Sequence, residues 1–274
     1  MGSIGHTKIV TNPVTDKLRS GRPAVGSWLG LCSPVAAENL AHMGWDWLVV
    51  DVEHSPVGFD TMVNMFRAIQ LGGAVPMARM PWNNTIWCQR TLDAGALGLV
   101  VPMVNTAEDA KKVVSNMKYS TKGQRSWGGS RVAAYIDGSY RTWTEDNLAI
   151  MVMIETVEAV KNAEAILSVE GVTGCFIGPA DLALSMEATE TGPGTEHEAA
   201  ILEVLSVCKK VGKVAGKHCG SGAEVSARIA QGFQYLALSS DAGLMAKAAR
   251  AEFEAVDFSG AAGGDAGAGG KIYS

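Results

Sequence analysis

Eight short apolar runs recur along the chain, each followed by enough sequence for a helix. They are Val25–Leu31, Trp47–Asp51, Val75–Arg79, Gly98–Val101, Ile150–Glu155, Gly174–Gly178, Val214–Lys217 and Tyr235–Ser239. Each is mostly apolar rather than alternating, the pattern of parallel strands buried on both faces. The segments between them change period. Phe59–Leu71 places Phe59, Met62, Met65, Phe66 and Ile69 on one helical stripe, and Val157–Leu167 and Ile201–Val211 do the same. Such stripes are read as core packing. Helix starts carry capping residues: Ser33 before Pro34, Asn84 before Thr85 and Thr106 before Ala107. Strand–helix alternation repeated eight times predicts an α/β fold, a (β/α)8 TIM barrel.

The length of 274 residues suits such a barrel, and 47% hydrophobic against 19% charged residues allows a sizeable core. One barrel domain is expected over residues 1–258. The Gly/Ala-rich stretch 259–274 reads as a flexible tail. The formal net charge is −5 and no Lys/Arg block occurs, which argues against nucleic acid as a partner. No apolar run approaches a membrane span, and the N-terminus lacks the apolar stretch of a secretory signal. Five scattered cysteines without a C-x-x-C pair imply reduced thiols in a cytoplasmic protein rather than a disulfide framework or a zinc site.

In a barrel the C-terminal strand ends build the active site. Reading only those ends gives Asp51, Glu53 and His54 after the second strand and Arg79 at the third. The fifth supplies Glu155; the sixth supplies Gly178, Ala180 and Asp181; the seventh supplies Lys217 and His218. Glu155 and Asp181 are oxygen donors on neighbouring strands, a set that suits a hard divalent cation completed by water and substrate. Arg79 offers a planar donor fork to a developing oxyanion, and His54 brings an imidazole, the side-chain type suited to a general base. Together these parts suit proton abstraction next to a carbonyl, the enolate being held by metal and arginine. Each residue also has a plainer reading. Glu155 and Asp181 could cap helices, Arg79 could form a surface ion pair, and His54 could be a turn residue. Asp51 and Glu53 could anchor loops, and Lys217 could be either a solvated rim lysine or an imine-forming nucleophile.

The stretches "WLVVDVEHSP", "VPMARMPWNN", "LDAGALGLVVPMVNTAEDA" and "IETVEAVKNAEAILSVEGVTGCFIGPADLALSM" resemble the class II, metal-dependent pyruvate aldolases. The likeness is to the 4-hydroxy-2-oxoheptanedioate aldolase group of the 2-oxoacid aldolase/citrate lyase family, of which macrophomate synthase is a relative, and runs from Gly21 to Phe253. The resemblance implies Glu155 and Asp181 as ligands of Mg²⁺, Mn²⁺ or Co²⁺. Arg79 would bind the keto oxygen of pyruvate, and His54 would act in acid/base steps with Asp51 beside it. Asp93 would pair with that histidine across a subunit contact. The amides of Ala180 and Asp181, next to Gly178, would cradle the pyruvate carboxylate. It further implies a homohexamer, a trimer of dimers, acting on a small 2-oxo acid and an aldehyde. Decarboxylation of oxaloacetate, alone or coupled to carbon–carbon bond formation, is the alternative reaction through the same enolate.

Departures from the family pattern gather on the substrate side. Val52 stands where a small residue is usual, and Lys217 and His218 stand where neutral residues are common. The segment "MEATETGPGTEHEAA" is unlike the usual loop. The long connection Tyr119–Asn147, rich in glycine and arginine and including Arg125 and Ser126, is expected to be a lid or substrate loop.

Overall fold

The computed structural model describes residues 8–257; the expected tail, 259–274, lies outside them. Eight parallel strands close a barrel in chain order: β1 (Ala24–Leu29), β2 (Trp47–Asp51), β3 (Val75–Arg79), β4 (Gly98–Val101), β5 (Ala149–Ile154), β6 (Gly174–Ile177), β7 (Val214–Cys219) and β8 (Tyr235–Ser240). Each run singled out in the sequence forms one strand: β2, β3 and β4 have the same ends, and the others are shifted by one or two residues.

Helix α1 (Pro13–Arg19) precedes the barrel. The surrounding layer is α2 (Pro34–Ala41), α3 (Phe59–Leu71), α4 (Thr85–Ala94), α5 (Ala107–Met117), α6 (Ser130–Ala133), α7 (Tyr140–Asn147), α8 (Val157–Lys161), α9 (Ala163–Leu167), α10 (Pro179–Ser185), α11 (Glu196–Val211), α12 (Gly222–Gln231) and α13 (Asp241–Glu254). The expected caps form. Ser33 accepts from Ala36 N–H, and Asn84 accepts from Ile86 and Trp87 N–H. Thr106 closes a reciprocal box with Asp109. One helix departs from expectation. The stripe 157–167 is split at Asn162, whose side-chain amide donates to the carbonyl of Asn105 at 2.8 Å and ends α8.

Strand register fixes which side chains enter the barrel, because paired residues on neighbouring parallel strands share a face. Trp47 stacks on Tyr235 at 4.2 Å between centroids, and Phe176 meets both Tyr235 (6.0 Å) and Trp28 (5.4 Å) edge-on. These rings fill the barrel interior. Room for them comes from the neighbouring strand: Gly26 on β1 is level with Trp47, and a Cβ there would lie 2.1 Å from the Trp47 ring.

The connection 119–147 is not a lid over its own barrel mouth. Arg125 is wholly buried, with its guanidinium 4.6 Å from the Tyr119 ring and 5.1 Å from the Tyr140 ring. It donates to Asp93 at 2.7 Å and to the Tyr140 hydroxyl at 3.1 Å. Further on, Arg131 donates to the carbonyl of Ala94, and Ile136 bridges to Ile9. The segment therefore runs down the flank of α4 toward the N-terminal side of the barrel. The glycine and arginine content that suggested a lid serves this packing. Gly129 adopts φ +86°, and a Cβ there would press on Asp93 at 2.7 Å. Among the described residues no helix is long and apolar enough to cross a membrane.

Candidate active site

The registers run through the sheet as Asp51 with Arg79, Arg79 with Val100, Val100 with Met151, Met153 with Phe176, and Phe176 with Gly216. Phe176 packs inside the barrel, so all of these positions face inward. Continuing the alternation past the strand ends puts Asp51, Arg79, Glu155, Gly178 and His218 on the inner face at the C-terminal mouth. The polar residues that close otherwise apolar strands thus converge.

Arg79 is the most constrained of them. Its Nε donates to Asp51 Oδ1 at 2.9 Å and one terminal nitrogen to Oδ2 at 2.6 Å, a bidentate pair. The other terminal nitrogen lies 3.0 Å from Glu53 Oε2. Its guanidinium carbon sits 4.6 Å over the Trp28 ring. Asp51 Oδ1 also accepts the N–H groups of Glu53 (3.1 Å) and His54 (3.3 Å), so the same carboxylate shapes the β2–α3 loop. Asp51 is thus both a loop anchor and the support of Arg79. Burial raises the Glu53 carboxyl above its ordinary value against the opposing pull of Arg79. His54 stands at the rim with its side chain 64% exposed, and its Nε2 is 3.8 Å from Glu53 Oε2.

Across the mouth, Glu155 is buried. Its Oε1 accepts the Met103 N–H at 2.7 Å, and Met103 takes a left-handed φ of +54° in making that bond. Burial pushes the Glu155 carboxyl up to about 7. The Met103 bond opposes the rise, and the charges of Asp181 and Glu53 add to it. Oε2 lies against the backbone of Gly178, where a Cβ would come within 2.6 Å of it. Asp181 occupies the first turn of α10, whose Ala180 and Asp181 amides have no intrahelical partner by position.

A buried carboxylate raised by desolvation and by a second carboxylate is a site that a cation would relieve. Glu155 and Asp181 fit a divalent ion that takes its remaining ligands from water and substrate. Among the described residues no group of three or more His, Cys, Asp or Glu converges as an all-protein cage would need.

Other candidates lie elsewhere. Asp93 is on the last turn of α4, on the flank, held by Arg125 rather than by His54 of the same chain. Lys217 points outward and is buried. Its Nζ donates to Glu224 Oε1 at 2.7 Å and to the His218 carbonyl at 2.8 Å, so it presents no amine to the mouth. Trp28 was not anticipated as a support for Arg79. The signal was available in its place on β1, level with Val49 in register.

Residues 24–248 match the family described as HpcH/HpaI aldolase/citrate lyase. A hydroxypyruvate/pyruvate aldolase of Rhizorhabdus wittichii is 38% identical over 241 residues, 87% of this chain and 96% of that one. A 4-hydroxy-2-oxo-heptane-1,7-dioate aldolase of Klebsiella pneumoniae is 36% identical over 250 residues, 88% and 92% of the two chains. A solved HpcH/HpaI aldolase/citrate lyase family protein from Burkholderia cenocepacia superposes with a TM-score of 0.84 at 32% identity, covering 89% of this chain and 98% of that one.

Proposed function

The chain belongs to the HpcH/HpaI aldolase/citrate lyase family, and from that premise we propose that it is a class II pyruvate aldolase. It cleaves, and in reverse forms, 4-hydroxy-2-oxo acids, giving pyruvate and an aldehyde. One observation carries the reading. An arginine clamped by two carboxylates faces, across the barrel mouth, the buried Glu155 carboxylate, whose charge Asp181 opposes from the half-buried first turn of α10.

Glu155 and Asp181 are the proposed ligands of Mg²⁺, Mn²⁺ or Co²⁺. When bound, the cation supplies Lewis-acid polarisation of the 2-oxo acid. Arg79 donates to the keto oxygen, where charge accumulates as the C3–C4 bond breaks. Its orientation is fixed beforehand by Asp51, Glu53 and Trp28, so little reorganisation is needed in the transition state. The free amides of Ala180 and Asp181, beside the side-chain-less Gly178, receive the substrate carboxylate. His54, at the open rim, takes the proton of the 4-hydroxyl as the aldehyde leaves; C3 of the enolate is then protonated to give pyruvate. Asp93 of a second copy orients that histidine, in a hexamer built as a trimer of dimers.

The test is exchange of the C3 protons of pyruvate in D₂O, followed by NMR with Mg²⁺ or Mn²⁺ and again after chelation. Exchange that requires the metal supports the enolate site without the aldehyde being known. Exchange that survives thorough chelation overturns the metal assignment. Absence of exchange under both conditions, with oxaloacetate still losing carbon dioxide, replaces the aldolase by a decarboxylase.

A further inference from the structure

The position at the end of β7 is not used by the chemistry above. Lys217 faces outward to Glu224 on α12, so by strand alternation His218 faces inward. The chain of registers makes its neighbours explicit. Ile154 pairs with Ile177, and Ile177 pairs with Lys217, so the next residues, Glu155, Gly178 and His218, share one inward row. The middle member has no side chain. The imidazole and the Glu155 carboxylate therefore lie two strands apart, about 10 Å at the usual strand spacing, and no side chain of the strand between them separates them, although Glu155 Oε2 itself lies against Gly178.

The backbone that carries the imidazole is held there. Lys217 bonds the His218 carbonyl and Glu224, and Glu224 Oε2 accepts the Gly220 N–H at 2.9 Å. Arg228 lies 3.7 Å from Glu224 and chelates Glu198 with both terminal nitrogens. This buried ion network locks the end of β7 to α12 and α11, the support a positioned polar group needs.

We propose that His218 is a specificity-determining residue that accepts a hydrogen bond from a substrate hydroxyl next to a carbonyl. The inference rests on the aldolase reading above. Burial depresses the affinity of the ring for a second proton, and Lys217 and Arg79 oppose its positive charge, so the imidazole is neutral at pH 7. The backbone of Ser239 on β8 and the charge of Glu224 act against that depression without outweighing burial. A neutral imidazole has one N–H and one bare nitrogen. The bare nitrogen can only accept, and an unhydroxylated aldehyde or pyruvate methyl offers it nothing. The hydroxyl can come from either side of the new bond: an α-hydroxyaldehyde acceptor or a 3-hydroxy-2-oxo acid donor.

The test is a two-by-two comparison of kcat/KM in the synthetic direction, with Mn²⁺ bound. Donors are pyruvate and hydroxypyruvate; acceptors are acetaldehyde and glycolaldehyde. In His218→Leu the preference for the hydroxylated member over its deoxy counterpart falls about ten-fold on one axis, and that axis names the source of the hydroxyl. His218→Gln, whose amide oxygen can accept, recovers part of the preference. Equal losses on all four pairs in His218→Leu, or no loss, overturn the proposal. Wild-type protein that turns over none of the pairs overturns the aldolase reading itself.

Discussion

Glu155 concentrates the cost of the site in one residue. Its carboxyl is held at about 7 in the folded chain, against an ordinary value of 4.5. Between those values the folded chain holds a proton that the unfolded chain has shed. The contribution of this group to stability is therefore fully present below about pH 4.5 and lost as the pH rises through about 7. Glu155→Gln keeps the acceptor for Met103 and removes the charge. Differential scanning of metal-free protein should show the variant melting several degrees above wild type at pH 8, with the gap closing toward pH 4.5. Saturating Mn²⁺ should reverse the order, because only wild type gains binding energy in the folded state. A variant less stable than wild type at pH 8 without metal would show that desolvation does not dominate at this carboxylate. Calorimetric titration of wild type with Mn²⁺ should also release close to one proton at pH 6 and little at pH 8. Proton release that does not change across this range would contradict the raised carboxyl.

Elements explain why so much of this was legible beforehand and why some of it was not. Burial on both faces leaves a strand little freedom in composition, so β2, β3 and β4 could be bounded to the residue. Inward-facing polar residues at the ends of such runs line the mouth, whereas Lys217, one position out of phase, turns to Glu224. What no local pattern carries is a partner far along the chain. The break between α8 and α9 depends on Asn105, 57 residues from Asn162. The packing of Arg125 depends on Asp93, 32 residues away. A lid and a flank support have the same composition until their contacts are known. The turn from β6 into α10 shows an element acting on the site through its backbone. Gly178→Ala would place a methyl 2.6 Å from Glu155 Oε2 and 3.2 Å from Met153. The methionine can yield, but the carboxylate is tied to Met103 and cannot yield without losing its aim. Affinity for Mn²⁺, read from the free-ion EPR signal, should fall at least ten-fold while the far-ultraviolet circular dichroism stays that of wild type. Unchanged affinity would place the metal away from Glu155.

The whole molecule sets the last constraint, because one chain does not complete the proposed acid/base pair. His54 is largely exposed, and Glu53, its nearest carboxylate at 3.8 Å, is already engaged with Arg79. Asp93 lies at the far end of α4, which descends about 1.5 Å per residue from the mouth. If the pair forms between copies, the two halves of each site reside on different subunits and can be exchanged. His54→Ala and Asp93→Asn are the suitable variants, since the amide oxygen introduced by the second keeps an acceptor for the buried Arg125. Each alone should lose at least ten-fold in kcat for cleavage of a 4-hydroxy-2-oxo acid. Co-assembled in equal amounts, a reciprocal pair of sites receives both defects in one site and neither in the other. Random assortment then restores about one site in four to wild-type function. Recovery near that level places Asp93 beside the histidine of a neighbouring subunit. A mixture no more active than its components means that Asp93 serves Arg125 and its own chain only, and His54 works without a carboxylate behind it.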